Sequence, residues 1–202
     1  MKIGPLILAS ASPRRKYWFE AIRIPFESVM PVVDETLRAD ENPIEMVLRL
    51  SKEKALSVAT EYPARWVLGA DTIVVVDDCI LGKPENTKDA MRMVQLIQGR
   101  KHYVHTGVSL VRDCEIHQIV DTAEVHLRPL SIEQIRWYVA SGEPMDKAGA
   151  YAAQGIAAMF IERIEGSFAT VMGLPIEKLG RLFIELGLLD GWYDGYMQGE
   201  GG

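Results

Sequence analysis

The sequence predicts an α/β domain built on a mixed sheet, and three observations predict it. Strand-like apolar runs alternate along the 202 residues with segments of helical periodicity. Two successive strand pairs are joined by tight turns and read as hairpins in the middle of the chain, which a purely parallel, doubly wound sheet does not contain. Hydrophobic residues make up 48% and charged residues 25%, so the chain has the composition of a globular domain, not of a disordered or fibrous one.

The elements follow in order. Leu6–Ala9 reads as a first strand. Ser12 stands where a helix is capped and Pro13 at its first position, so a helix runs from there to about Ile22. Pro25 to Val29 is a short second strand. Residues 30–42 are acidic and bounded by prolines (Pro31, Asp34, Glu35, Asp40, Glu41), which makes them a loop. From Pro43 to about Thr60 the apolar positions Ile44, Val47, Leu48, Ala55, Val58 and Ala59 recur at helical steps. Trp66 to Val76 is a strongly apolar strand. Asp77-Asp78 turn it into a short return strand, Cys79–Leu81. Asn86 caps a helix that ends before Gly99, with Ala90, Met93, Val94 and Ile97 on one face. Residues 102–112 and 115–127 form the second hairpin. Ser131 caps a helix to Ala140, Ala157–Ile164 reads as a strand, and Pro175 opens a last helix to Leu186. Residues 1–190 thus form one α/β domain. The Gly-rich segment 191–202 is a flexible tail, whose exposed aromatics Trp192, Tyr193 and Tyr196 suit contact with a second copy in a homodimer.

Charge and cysteine usage narrow the function. Lys and Arg number 22 against 28 Asp and Glu, a net charge of −6. A protein that grips a nucleic-acid polymer by its phosphates carries a basic surplus, and this chain has none. A small anion needs only a local cluster of cations. No run approaches the ~18 apolar residues of a membrane span, and two cysteines without an export signal point to reduced thiols in the cytoplasm. His102 and His105 resemble a metal pair, but three residues apart on a strand they face opposite ways.

Five segments carry chemistry. In Ser10-Ala11-Ser12-Pro13-Arg14-Arg15 a strand ends, two hydroxyls follow, and a helix opens with two guanidinium groups. Cations oppose the dipole at that end, so a bound phosphate is the natural reason for them. Asp71 interrupts the apolar strand Trp66–Val76, and a carboxylate there is expensive to bury without a cation, a metal ion or a cleft. Gly82-Lys83-Pro84 is not a Walker loop, because Pro84 stands where a Ser or Thr binds magnesium. Ser51 and Lys54 share a helix face, and on a charge-rich surface helix the plain expectation is a solvated lysine unless that face looks into the cleft. The stretch Glu143–Gly155 combines glycines, paired opposite charges and Gln154 in a ligand-holding type of loop. Glu35, in the acidic loop, is a carboxylate of the kind that holds Mg²⁺.

Taken together, these segments resemble the Maf family of nucleoside triphosphate pyrophosphatases. The resemblance rests on an ordered set: Ser10-Ala-Ser-Pro-Arg-Arg15, Asp34-Glu35, Lys54-Ala55, Gly69-Ala-Asp71-Thr72, Gly82-Lys83-Pro84, Gly99-Arg100 with His102 and Thr106-Gly-Val108, Asp146-Lys-Ala-Gly-Ala-Tyr151 with Gln154-Gly155, Ile164-Glu-Gly-Ser167, and Gly173-Leu-Pro175. It implies an elongated mixed sheet flanked by helices, with two lobes and a central cleft, similar to inosine triphosphate pyrophosphatases. It also implies hydrolysis of dTTP or UTP to the monophosphate and pyrophosphate, with Mg²⁺ or Mn²⁺. By position Asp71 matches the catalytic proton acceptor. Ser10, Arg14, Arg15, Lys54 and Lys83 match phosphate-side residues, and Glu35 with Asp71 the metal side. Arg14, Thr72 and Gln154 match positions tied to substrate choice. Ala152-Ala153 depart from the glycine and bulkier apolar residue that the family often has there.

Overall fold

The computed structural model describes residues 4–38, 41–190 and 192; Asp40, Tyr193 and Tyr196 lie outside the described residues. The order of elements is β1 (Leu6–Ala9), α1 (Pro13–Ala21), β2 (Phe26–Val29), α2 (Pro43–Ala59), β3 (Val67–Val76), β4 (Cys79–Leu81), α3 (Thr87–Ile97), β5 (Lys101–Arg112), β6 (Glu115–Leu127), α4 (Ile132–Ala140), β7 (Ile161–Glu165), α5 (Phe168–Val171) and α6 (Ile176–Glu185). Three short 3-10 turns, Glu143–Asp146, Ala148–Ala150 and Ile156–Phe160, connect α4 to β7.

One seven-stranded mixed sheet carries the fold, in the order β2-β1-β3-β5-β6-β7 with β4 paired to β3. β1 runs parallel to β2 and β3, and the pairs from β3 through β5 and β6 to β7 are antiparallel. The helix starts follow the polar residues that precede them. Asn42 with Glu45 and Ser131 with Gln134 form reciprocal capping boxes, and Asn86 accepts from the Asp89 amide. Ser12 holds the cap position of α1 but its hydroxyl caps nothing.

Two expectations fail. The strand expected over Ala157–Ile164 begins only at Ile161, because residues 156–160 coil into a 3-10 turn. Glu143 accepts from the Ile156 and Ala157 amides at 2.7 and 3.1 Å, which takes those donors out of any ladder. Trp192, expected among exposed tail aromatics, is buried edge-on against Phe183, and its indole N–H donates to the Gly4 carbonyl at 3.3 Å. A large amphipathic ring next to an apolar helix face gains more from burial than from solvent.

The core is split on both faces of the sheet, and the split positions the site. On the face covered by α2, Val67 packs with Ala55 and Val58, whereas Ile73 and Val75 pack with Met46, Val47 and Leu50. Asp71 falls between the two clusters. On the opposite face Leu68 and Ala70 pack against Leu179 and Phe183 of α6, whereas Val74 packs with Ile97 and Tyr138 of α3 and α4. Thr72 falls between those. α2 lies hard against the sheet because two glycines let it: a Cβ on Gly69 would sit 2.1 Å from the Ser51 carbonyl oxygen, and one on Gly107 would sit 2.5 Å from that of Val47.

Candidate active site

A cavity of about 600 Å³ opens where β1 ends and α1 begins, beside the middle of β3. Eight of the nine residues expected from the sequence line it: Ser10, Arg14, Arg15, Glu35, Lys54, Asp71, Thr72 and Lys83. Gln154 does not. It is exposed, one residue beyond Ala153, which does line the cavity.

Lys54 is not the solvated lysine of a surface helix. It is 7% exposed, and its ammonium lies 2.6 Å from Asp71 Oδ1 and 2.6 Å from Glu35 Oε1. The Gly69 contact with α2 explains how the helix comes close enough for this. Burial pushes the Asp71 carboxyl up from its ordinary range, and the neighbouring Lys54 and Arg15 charges offset this only in part. At Glu35 burial pushes the same way, but the hydrogen bond and charge of Lys54, with Lys83 behind it, outweigh it and hold the carboxyl low. Two carboxylates on one ammonium thus titrate in opposite directions, set by how much water each keeps.

The other side of the cavity is built around Arg15. Its Nε donates to the Gly173 carbonyl at 2.9 Å, Nη1 to Ser10 Oγ at 3.2 Å and Nη2 to Thr72 Oγ1 at 3.2 Å. Ser10 Oγ also accepts from the Ser12 amide at 3.1 Å. The guanidinium is therefore fixed along its whole inner edge, and the first turn of α1, with no side-chain cap, keeps amides for an anion. Arg14, Lys83 and Lys147 complete the cationic lining.

The loop from Glu143 to Phe160 closes the cavity from the far side, where Ala148, Tyr151, Ala152 and Ala153 line it. Gly149 allows it to pack: its φ is +67° and a Cβ would lie 2.8 Å from Val74. Behind the loop the buried His102 meets the Tyr151 hydroxyl at 2.8 Å from Nε2. His105 lies on the other side of β5 against Thr122, so the two histidines do face apart. Burial holds the His102 imidazole down to about 4. Sequence reasoning gave no role to Gly173, Thr106, Glu143 or Tyr151. All four stand in segments quoted above, yet only the folded chain shows what each touches.

The donor set suits a hard divalent cation. Glu35 and Asp71 are brought close together by the Lys54 ammonium that both of them meet at 2.6 Å, and oxygen pairs of this kind hold Mg²⁺ or Mn²⁺ together with substrate phosphates. Among the described residues a three-residue His and carboxylate group lies elsewhere, at Glu124, His126 and Glu165, where Lys101 and Arg163 already pair with the two acids.

The family model described as "Maf-like protein" matches residues 5–186. The chain is 47% identical to a dTTP/UTP pyrophosphatase of Symbiobacterium thermophilum, over 90% of this chain and 94% of that one. It is 45% identical to a dTTP/UTP pyrophosphatase of Vibrio parahaemolyticus, over 89% and 96%. Among solved structures, a HAM1 protein from Coxiella burnetii superposes with a TM-score of 0.50 at 15% identity, over 90% of this chain and 98% of that one, a likeness of fold alone. With a family match across nearly its whole length and relatives 45–47% identical over most of both chains, the chain belongs to the Maf family.

Proposed function

We propose that this protein hydrolyses dTTP and UTP between the α and β phosphorus atoms, releasing the nucleoside monophosphate and pyrophosphate with the help of Mg²⁺ or Mn²⁺. The observation that carries the reading is Asp71, a buried carboxylate opening on a cavity whose remaining charged lining is mostly cationic. The names of relatives 42–47% identical over most of the chain support the same reaction and the same bases.

A triphosphate brings about four negative charges, and charge moves onto the leaving pyrophosphate as the bond breaks. Arg15, immobilised by three partners, binds phosphate oxygens through its outer edge. Arg14, Lys83, Ser10 and the first-turn amides of α1 add to the same field. Lys54 engages one oxygen of Asp71, and the other oxygen takes the proton of the attacking water. The new oxygen–phosphorus bond forms as the bond to the β phosphate breaks, and pyrophosphate leaves. Glu35 and Asp71 would hold the divalent cation, which when bound supplies positive charge for the phosphates and acidity for the water. Arg14 and Thr72, which line the cavity, set substrate choice, and Gln154 reads the pyrimidine edge only of a base that extends past Ala153 to the cavity rim.

No helix among the described residues is long and apolar enough to cross a membrane. The free, exposed cysteines Cys79 and Cys114 support a cytoplasmic setting, and the −6 charge supports a nucleotide rather than a nucleic-acid polymer as partner. A homodimer is the remaining expectation, for sedimentation equilibrium to check.

The test is a panel of dTTP, UTP, CTP and 7-methyl-GTP, with Mg²⁺, with Mn²⁺ and with chelator, assayed for pyrophosphate and orthophosphate. Pyrophosphate from dTTP and UTP in the presence of metal is expected. Orthophosphate as the first product, no turnover at all, or a preference for 7-methyl-GTP overturns the reading.

A further inference from the structure

Hydroxyl protons are scarce at the inner wall of the cavity, and counting them gives each bond a direction. Thr106 is fully buried on β5, opposite Thr72 in the β3–β5 ladder. Its Oγ1 lies 2.8 Å from the Thr170 carbonyl oxygen, which accepts only, so the one proton of Thr106 goes there. Thr72 Oγ1 lies 3.0 Å from Thr106 Oγ1, and with the Thr106 proton spent, Thr72 is the donor in that contact. Thr72 then has lone pairs alone to offer Arg15 Nη2, 3.2 Å away. The chain of bonds runs one way, from guanidinium to Thr72, to Thr106, to the α5 carbonyl.

Ser10 has the opposite setting. Its oxygen already accepts from the Ser12 amide and from Arg15 Nη1, so its proton is left to point elsewhere, and Ser10 lines the cavity. Had Thr72 kept its own proton towards the arginine, two donors would face each other. Gly173 tightens the corner: its carbonyl accepts from Arg15 Nε, and its φ of +94° brings it within reach of both Thr72 and Arg15.

We propose that Thr106 is a positioning residue for the phosphate-binding arginine: by drawing the Thr72 proton inward, its hydroxyl turns a Thr72 lone pair towards Arg15 and locks the guanidinium in its binding pose. Thr106 is fully buried and is not part of the cavity lining. The proposal rests on the pyrophosphatase reading, in which Arg15 holds phosphate.

The experiment compares Thr106→Val, Thr106→Ser and Thr72→Val, and the double variant Thr72→Val/Thr106→Val, by pyrophosphate release from dTTP, with thermal midpoints recorded alongside. Valine keeps the β-branched shape in the strand, and the Thr170 carbonyl still accepts from the Gly173 amide, so the fold is expected to survive. A loss of about tenfold in kcat/KM is expected for Thr106→Val, the size of one buried hydrogen bond to a charged network. Thr106→Ser keeps the hydroxyl and is expected within about threefold of wild type. On the Thr72→Val background the valine at 106 is expected to cost almost nothing further, because its only route to Arg15 is gone. Wild-type kcat/KM in Thr106→Val, a serine variant as poor as valine, or additive losses in the double variant each overturn the proposal. Should Thr106→Val not fold, Thr106→Cys, similar in size and a feeble donor, replaces it with the same expectations. A wild-type protein that releases no pyrophosphate sinks the functional reading instead, so the two failures are distinct.

Discussion

Asp71 and Thr72 are neighbours in β3, yet they look into different worlds. On the α2 face a carboxylate is buried beside an ammonium, with a second carboxylate sharing that cation. On the α5 and α6 face, neutral hydroxyls and carbonyls satisfy one another around a single guanidinium. The first arrangement is costly, because burial disfavours the ionised Asp71 more than Lys54 restores it. In the second, Arg15, Thr72 and Thr106 each find hydrogen-bond partners. The proposed base lies on the electrostatically costly face and the arginine is held on the paired one, and one residue step of a strand separates them.

The largest effect that would break this comparison is chemical. Asp71→Asn keeps the volume and a partner for Lys54, and is expected to lose 10²–10⁴-fold in kcat, the usual contribution of a positioned base, with its circular dichroism unchanged. A variant that turns over at the wild-type rate would remove Asp71 from the reaction. Next comes mechanical separation of the two faces. Gly69→Ala drives a methyl into the α2 backbone, and urea unfolding is expected to show a loss of about 3 kcal/mol or more, with Lys54 displaced while the Arg15 bonds persist. Unchanged stability would mean that α2 has room to lift.

A titration sharpens the contrast. Lys54 is the main opposing influence on the raised Asp71 carboxyl, so Lys54→Gln removes positive charge and pushes that carboxyl higher still. The acid limb of kcat/KM is expected to move to higher pH, and a limb that stays put would show that Lys54 does not control the base. The Thr72 face also carries His102, whose imidazole is kept neutral by burial with a value of about 4 in the folded state against 6.5 ordinarily. The unfolded chain takes up the extra proton first, so stability is complete above pH 6.5 and falls as pH drops towards 4, by on the order of 3 kcal/mol. His102→Gln is expected to flatten that part of the stability profile, and a profile as steep as wild type would assign the acid sensitivity to other groups.

Much of this was legible in the sequence because local rules governed it. Pro43, Asn86 and Ser131 announced their helices, and the apolar runs of β1, β3 and the β5–β6 hairpin announced the sheet. Asp71 stood out because a carboxylate breaks an apolar strand. Long-range contacts left no such mark. Lys54 read as an ordinary lysine on a charged helix, since its burial depends on glycines 15 and 53 residues further along the chain, at 69 and 107. The 3-10 turn at 156–160 was hidden for the same reason, because the carboxylate that bends it, Glu143, belongs to a different turn. Arg15 was found by its company, but the three acceptors that immobilise it came from three separate elements.

Trp192 gives the molecule a clasp. Its ring is wedged beside Phe183, and its nitrogen holds the carbonyl of Gly4, two residues ahead of the strand that leads into Ser10. A protein engineer trimming the glycine-rich end at residue 190 would therefore cut away a plug in the hydrophobic interior and slacken the start of the segment that carries the proposed phosphate-binding turn, whereas trimming just after 192 spares both.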